Sequence, residues 1–343
     1  MIDTNNLNLH IMFLDKFIPS FIDFINQNFP IEEHLFVIYG KAMNKLEYNP
    51  TSKNVIMFDT INKFFHIIPY IIIAKRIIIH GLFFEEVVNF LNQMPQSILD
   101  KVYWVIWGGD FYFPEMHSNL KKQLIMKIKN VITYIDGDVD YLKKNYRISP
   151  LYHKCLMYLS NVFDENKYKR LTPKNRNGIL ILVGNSASET NRHEFIFDKL
   201  HKFSSDNIKL IVPLSYGDNI YRERIINIGK KIFDENFYPL TEFLPYDKYL
   251  EIIFSIDIAI FANNRQQGMG NLIQLLGLGK KVYLNPETSQ WNLCQNLGIK
   301  VYDINGDIDL NINAKELENN KKKVKEWFSL ENLIKQWQEI FNG

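Results

Sequence analysis

The segment Arg265-Gln266-Gln267-Gly268-Met269-Gly270-Asn271 stands between an apolar run at 256–261 and a helix-forming stretch at 271–278. A strand, a charged glycine-rich turn and a helix start together form the arrangement in which α/β proteins hold anions. Backbone N–H groups at the helix start lack partners, and the helix dipole favours negative charge. Arg265 adds a planar fork of donors that matches a diphosphate. Gln266, Gln267, Gly268, Gly270 and Asn271 complete the candidate donor loop. The plain alternative is a tight turn with a surface arginine, because Gly-x-Gly alone is a weak signal.

A second loop has the same character. The apolar run 179–183 ends in Gly184-Asn185-Ser186-Ala187-Ser188-Glu189-Thr190-Asn191 and leads towards a helix. Gly184 permits close backbone approach, Asn185 and Ser186 offer short donors, and Asn191 is expected as the helix N-cap. A capped turn without a ligand is the competing reading. Two such loops at the carboxyl ends of strands in one half of the chain favour a nucleotide diphosphate site. Tyr216 and Tyr246 are candidates to stack on the base, against the alternative of ordinary packing.

In the first half, the strand-like run from Val102 ends in Trp107-Gly108-Gly109-Asp110-Phe111-Tyr112 and presents a carboxylate after two glycines. Asp110 is the preferred general base for an acceptor hydroxyl. His80, before Gly81, is the second candidate, with an intrinsic pKa nearer neutrality. Turn chemistry explains an Asp after Gly-Gly equally well.

Other chemistries find little support. Asp136, Asp138 and Asp140 alternate, but they read as a helix N-terminus and do not match a calcium loop. No Gly-x-Ser-x-Gly elbow occurs, which argues against a serine hydrolase. Cys155 and Cys294 are the only cysteines, and neither sits in a metal or disulfide pattern. A net charge of +2 over 343 residues does not suggest a nucleic-acid binder. The polar start lacks the pattern of a secretory signal. The most apolar stretch, 67–79, is shorter than the roughly 20 residues a spanning helix needs. From 121 to 154, Lys121, Lys122, Lys127, Lys129, Lys143, Lys144, Arg147 and Lys154 outweigh three acids, with Phe111, Phe113, Tyr141 and Tyr146 nearby. That composition suits an anionic membrane surface or a lipid diphosphate, and equally a solvated helix face.

The elements that must position these residues follow from hydrophobic patterning. Strands are expected at 35–39, 54–58, 76–80, 102–107 and 131–135, with helices at 11–27, 84–92, 116–129 and 138–145. In the second half, strands are expected at 178–183, 208–213, 256–261, 281–285 and 300–302. Helices there are expected at 193–203, 220–230, 246–254, 271–278 and 291–297. Mostly apolar β-runs between amphipathic stretches indicate parallel sheets covered on both faces. The expected organisation is an α/β fold of two Rossmann-like domains facing across a cleft. Their bounds are 1–165, a linker at 166–177, 178–323, and a terminal helix at 324–343 that packs back on the first domain.

Taken in order, His80-Gly81, Trp107 to Tyr112, Ile181 to Ser186, Asn191, His193, Val212-Pro213, Tyr216, Tyr249-Leu250, Phe261, Arg265 to Gly268, Gly270, Leu284-Asn285 and Trp291 carry a resemblance. The chain resembles the bacterial 4-acetamido-4,6-dideoxygalactose (Fuc4NAc) transferases, glycosyltransferase family fifty-six. Gly109 and Phe111 stand where the family usually has Ala and Leu, and Ser215 stands where it has Gly. The resemblance implies a GT-B fold, a dTDP or UDP sugar donor bound by the C-terminal domain, and no essential metal or cofactor. It also implies an acceptor side containing Gly81, Trp107, Gly108, Gly109 and Tyr112. The acceptor is expected to be a lipid-diphosphate-linked glycan at the cytoplasmic face of the bacterial inner membrane, in surface polysaccharide synthesis such as that of enterobacterial common antigen. Competing functions are a nucleotide-sugar epimerase of similar build and an inert sugar-nucleotide-binding module.

Overall fold

The computed structural model describes residues 5–39, 50, 52–58, 65–172 and 177–343. The chain forms two compact units, Met1–Ser160 with Glu331–Gly343, and Asn161–Leu330.

The first unit is built on a parallel sheet of β1 (Asn8–Phe13), β2 (His34–Tyr39), β3 (Val55–Phe58), β4 (Arg76–His80), β5 (Val102–Val105), β6 (Asn130–Thr133) and β7 (Leu151–Lys154). Its order is β3-β2-β1-β4-β5-β6-β7. Every residue of β2 and β4 is buried, as expected for strands covered on both faces. The sequence reads 11–27 as one helix, but residues 8–13 form the central strand and the helix spans Ile18–Asn28. Pro19 in its first turn marks that start, because the ring fixes φ and the missing N–H has no partner there anyway. Strand β7 escapes the sequence pattern because it is a half-exposed edge.

The second unit has β8 (Ile179–Val183), β9 (Ile208–Pro213), β10 (Phe237–Leu240), β11 (Ile258–Phe261), β12 (Lys281–Leu284) and β13 (Tyr302–Asp303). They pair in parallel in the order β10-β9-β8-β11-β12-β13. Strand β10 was hidden by Pro239, which an edge strand tolerates because it has no ladder partner on one side.

Both orders reverse direction at one place, between β1 and β4 in one unit and between β8 and β11 in the other. Crevices at the carboxyl ends of strands at such switch points are where open α/β sheets bind ligands. Residues 184–191 and 265–271 lie in such loops, after β8 and β11, and His80-Gly81 ends β4, whereas residues 107–112 follow β5, Tyr216 follows β9 and Tyr246 opens the helix before β11.

Two further boundaries differ from expectation. Part of the expected linker is packed structure. Tyr168 is buried, donates to Gln274 Oε1 at 2.9 Å and stacks between Phe163 and Phe254. Linker residues 173–176 lie outside the described residues. The expected terminal helix is two helices, Ala314–Trp327 and Leu330–Asn342. The second is grouped with the first unit from Glu331 onward. Trp337 is fully buried there, and its Nε1–H donates to the Met157 carbonyl at 3.0 Å.

Candidate active-site residues

In the second unit, the loops after β8 and β11 are locked together through Asn185. Its Oδ1 accepts from Gln267 Nε2 at 2.9 Å and from Asn263 Nδ2 at 3.4 Å, and its Nδ2 donates to the Tyr216 hydroxyl at 3.0 Å. Thr190 Oγ1 donates to Gln267 Oε1 at 2.6 Å. The backbone N–H of Gln267 donates to Gln290 Oε1 at 3.2 Å. Gln267 therefore braces one loop against the other, and its amide is used by protein.

Asn191 is not a helix cap. The helix His193–Leu200 is preceded by Arg192 with φ 54°, and Asn191 is fully buried behind the first loop. Its Oδ1 accepts from Asn185 N at 2.9 Å, and its Nδ2 donates to the carbonyl and hydroxyl of Ser186 at 3.0 and 3.1 Å. Gly184 is required at φ +68°. A Cβ there would lie 2.6 Å from His193 Nε2 and 2.9 Å from Asn191 Oδ1. Close approach at Gly184 thus serves this internal strut.

The second loop ends at Gly268, which caps the helix Met269–Gly277 in the left-handed conformation. No side chain caps this helix, so its first N–H groups point into the loop region, as an anion site requires. Arg265 is half-buried, and its guanidinium donates to the Gln266 carbonyl at 2.9 Å, which orients the fork. Gln266 is mostly buried, and Gly270 and Asn271 are half-buried. The Asn271 side chain bonds the Tyr249 hydroxyl. Tyr216 is 41% exposed and stacks on Phe243 with an interplanar angle of 9°. Tyr246 is exposed, with Lys167 5.9 Å from its ring centre, and stands apart from this network.

In the first unit, the ends of β4 and β5 do come together, but both candidate bases point inward. Asp110 is fully buried. Its Oδ1 accepts from Trp107 N at 2.9 Å, and its Oδ2 accepts from Leu82 N and Trp104 Nε1, both at 2.9 Å. Burial raises its pKa to about 6, against the opposing pull of Lys121 and of the three N–H groups. A carboxyl titrating there would suit a base, but its oxygens are committed to joining the two loops. In this structure Asp110 joins the loops after β4 and β5 and is not exposed to solvent.

His80 is also fully buried. Trp107 Nε1–H donates to the Tyr158 hydroxyl at 3.1 Å, which lies 2.7 Å from His80 Nδ1. His80 Nε2 is 3.2 Å from His10 Nδ1, and His10 Nε2 is 3.1 Å from His34 Nδ1. Burial holds His80 and His34 near pKa 3 and lowers His10 as well, so all three rings are neutral at neutral pH. A neutral ring offers one donor and one acceptor, so the bonds from Tyr158 to His34 all run in the same sense, set by the tautomers. With both nitrogens used, His80 orients Tyr158 and, through it, Trp107.

Gly81 and Gly109 make room for the Phe83 ring, 2.4 and 3.2 Å from where their Cβ atoms would stand. Gly108 opens the short helix Gly108–Phe111. Trp107 is half-buried beside Phe13, Phe17 and Phe83. Tyr112, expected on the acceptor side, is buried and donates to Asp138 Oδ1 at 2.7 Å. Asp136 accepts from Tyr152, and Asp140 pairs with Lys143. Among the described residues, no group of three His, Cys, Asp or Glu converges as metal ligands. The expected basic and aromatic surface is only partly a surface. Phe111, Tyr146 and Lys121 are buried, and Lys127, Lys129, Lys143 and Lys154 bond neighbours.

Sequence reasoning missed Tyr158 and His10. The alternation Leu7, Asn8, Leu9, His10, Ile11 is a strand signal that would have placed His10 in the sheet beside His80. Nothing local marks Tyr158. It is delivered by a left-handed Met157, φ 67°, clamped by Trp337.

Two parallel sheets with switch-point loops of this kind define the GT-B glycosyltransferase fold. A glycosyltransferase from Rickettsia africae superposes with a TM-score of 0.68 at 11% identity, covering 98% of each chain. Anabaena HepE, solved in complex with UDP, gives 0.68 at 11% over 98% of this chain and 99% of that one. Sucrose-phosphate synthase from Thermosynechococcus elongatus gives 0.65 at 10% over 98% of each. These likenesses are of fold. The chain itself belongs to the 4-alpha-L-fucosyltransferase family, glycosyl transferase group 56, whose model matches residues 23–342.

Proposed function

We propose that this glycosyltransferase moves a deoxy or deoxyamino sugar, such as Fuc4NAc, from a dTDP or UDP donor to a lipid-diphosphate-linked oligosaccharide in bacterial surface polysaccharide synthesis. The observation that carries this reading is the pair of second-unit loops joined by Asn185 and Gln267 beside the uncapped helix start at Gly268. The donor diphosphate lies against Asn185, Ser186 and the first N–H groups of that helix. Arg265 neutralises the departing nucleoside diphosphate, the task a metal ion performs in other transferases. Tyr216, exposed and stacked on Phe243, offers a ring face for the base. HepE, bound to UDP with the same fold, supports a nucleotide donor here.

No described helix is long and apolar enough to cross a membrane. In this reading the lipid-linked acceptor is met by peripheral attachment at the cytoplasmic face of the inner membrane. Exposed Met126 lines one hollow with Lys122 and Arg147, a mixed apolar and cationic surface of the kind this needs.

A thermal-shift panel of nucleoside diphosphates and their sugars, with magnesium or with EDTA, tests the reading. Stabilisation by dTDP or UDP in EDTA is expected. Stabilisation by adenine dinucleotides alone would overturn it.

A further inference from the structure

Glycosyl transfer to a hydroxyl releases a proton, and in the first unit neither Asp110 nor His80 is open to receive it. Glu85 and Glu86 follow β4 in the first turn of a helix, and another acid follows β1. Asp15 follows Phe13, the last residue of central strand β1, and is half-buried at the carboxyl edge of the sheet. Its placement is fixed from both ends. The Ile18 N–H donates to the Asp15 carbonyl at 3.0 Å, closing a turn into the helix Ile18–Asn28. The Phe17 N–H lies 3.4 Å from Oδ1.

Through Phe17, whose N–H faces its carboxylate, and through Tyr158, Asp15 adjoins an aromatic cluster. Phe13 and Phe83 are 5.2 Å apart, centre to centre, and Trp107 lies 5.5 Å from Phe13 and 5.6 Å from Phe83. Phe17 lies 6.2 Å from Trp107. Phe83 and Phe84 are 37% and 38% exposed at the edge of the group. Sugar sites have this makeup, with ring faces for the apolar side of a pyranose and few polar groups. The histidine chain behind Tyr158 holds Trp107 in position without reaching the surface.

The geometry points to Asp15 as the general base, set beside an aromatic floor of Phe13, Phe17, Phe83 and Trp107 that takes the acceptor's terminal sugar. This rests on the transfer function proposed above. The acceptor O–H proton passes to the Asp15 carboxylate, and the acceptor oxygen forms the bond to the anomeric carbon. The anomeric carbon–oxygen bond to the diphosphate breaks, and its electron pair leaves with the nucleoside diphosphate. Among the described residues, Lys16 and the Tyr158 hydroxyl are the titratable groups that interact electrostatically with Asp15. Burial raises the carboxyl's affinity for a proton, against Lys16 and the N–H groups of Phe17 and Lys16, which moves a base in the useful direction.

The test compares wild type, Asp15→Asn, Asp15→Glu and Phe17→Ala by release of dTDP from dTDP-Fuc4NAc, with a farnesyl-diphosphate-linked disaccharide as acceptor. Melting curves with dTDP accompany each protein. Asp15→Asn should lose about 10²- to 10⁴-fold in kcat with donor binding and melting intact. Asp15→Glu should retain part of the rate, with the acid limb of its pH profile displaced, which a purely structural residue would not cause. Phe17→Ala should raise the acceptor KM more than it lowers kcat. Asp15→Asn within threefold of wild-type kcat would overturn the assignment and leave the departing diphosphate as the proton acceptor. Wild type that binds dTDP yet releases none on adding acceptor would overturn the transfer reading and this inference with it.

Discussion

Asn185 and Gln267 are joined by a 2.9 Å hydrogen bond between side chains 82 positions apart in sequence. That bond makes the two strand-end loops of the second unit one structure. Asn185→Ala removes this bond together with those to Tyr216 and Asn263. We expect a roughly tenfold weaker dTDP or UDP affinity, about 1.4 kcal/mol, read by calorimetry. Unchanged affinity would mean the loops do not need each other to hold a nucleotide.

Arg265→Ala should leave the melting temperature unchanged and cut kcat by about 10²- to 10³-fold, the scale of losing one preorganised charge-stabilising group. Arg265→Lys should recover only part of the rate, because an ammonium lacks the planar fork. The check is steady-state kinetics on proteins with matched circular dichroism. Wild-type turnover in Arg265→Ala removes the arginine from the mechanism.

Asp110 carries a pH signature distinct from a catalytic one. Its folded pKa of about 6 lies above its unfolded value, so the folded state binds more protons between about pH 4 and 6. Stability from this group is present at low pH and is lost as pH rises through that window, by about 3 kcal/mol at most. Asp110→Asn, always neutral, should flatten this part of the curve. It should also lose about 1–3 kcal/mol, because an amide NH₂ meets an N–H donor. Chemical denaturation at pH 4, 5, 6 and 7 measures both effects.

Trp337 is fully buried, stacks on Phe341 and donates to Met157 beside Tyr158. Trp337→Ala should cost about 3–5 kcal/mol. For a unit of this size that lowers its melting temperature by on the order of 10 °C. Turnover should fall with it, because Tyr158 and Trp107 lose their support, while dTDP affinity in the second unit is retained.

Much of this was legible in the sequence, for identifiable reasons. The buried parallel strands announced themselves as apolar runs, and the loops after β8 and β11 as glycine and small polar residues after such runs. Asn191 was found as a position and misread as a helix cap, and the burial of Asp110 and His80 was not foreseen. Local sequence shows that a polar residue follows a strand, but not whether it faces outward or is held, as Asp110 is, by N–H groups of its own strand and loop and of a neighbouring loop. Likewise Gly81 and Gly184 indicate close approach, but the approaching groups are Phe83 and His193. Asp15 was hidden because the strand before it was read as the first turns of a helix.

The most direct test of the account is mass spectrometry of the products when the enzyme meets dTDP-Fuc4NAc and a farnesyl-diphosphate-linked disaccharide. The account predicts acceptor heavier by one Fuc4NAc residue, dTDP in equal amount, and loss of both in Arg265→Ala. Unmodified acceptor together with an epimerised sugar nucleotide would contradict it.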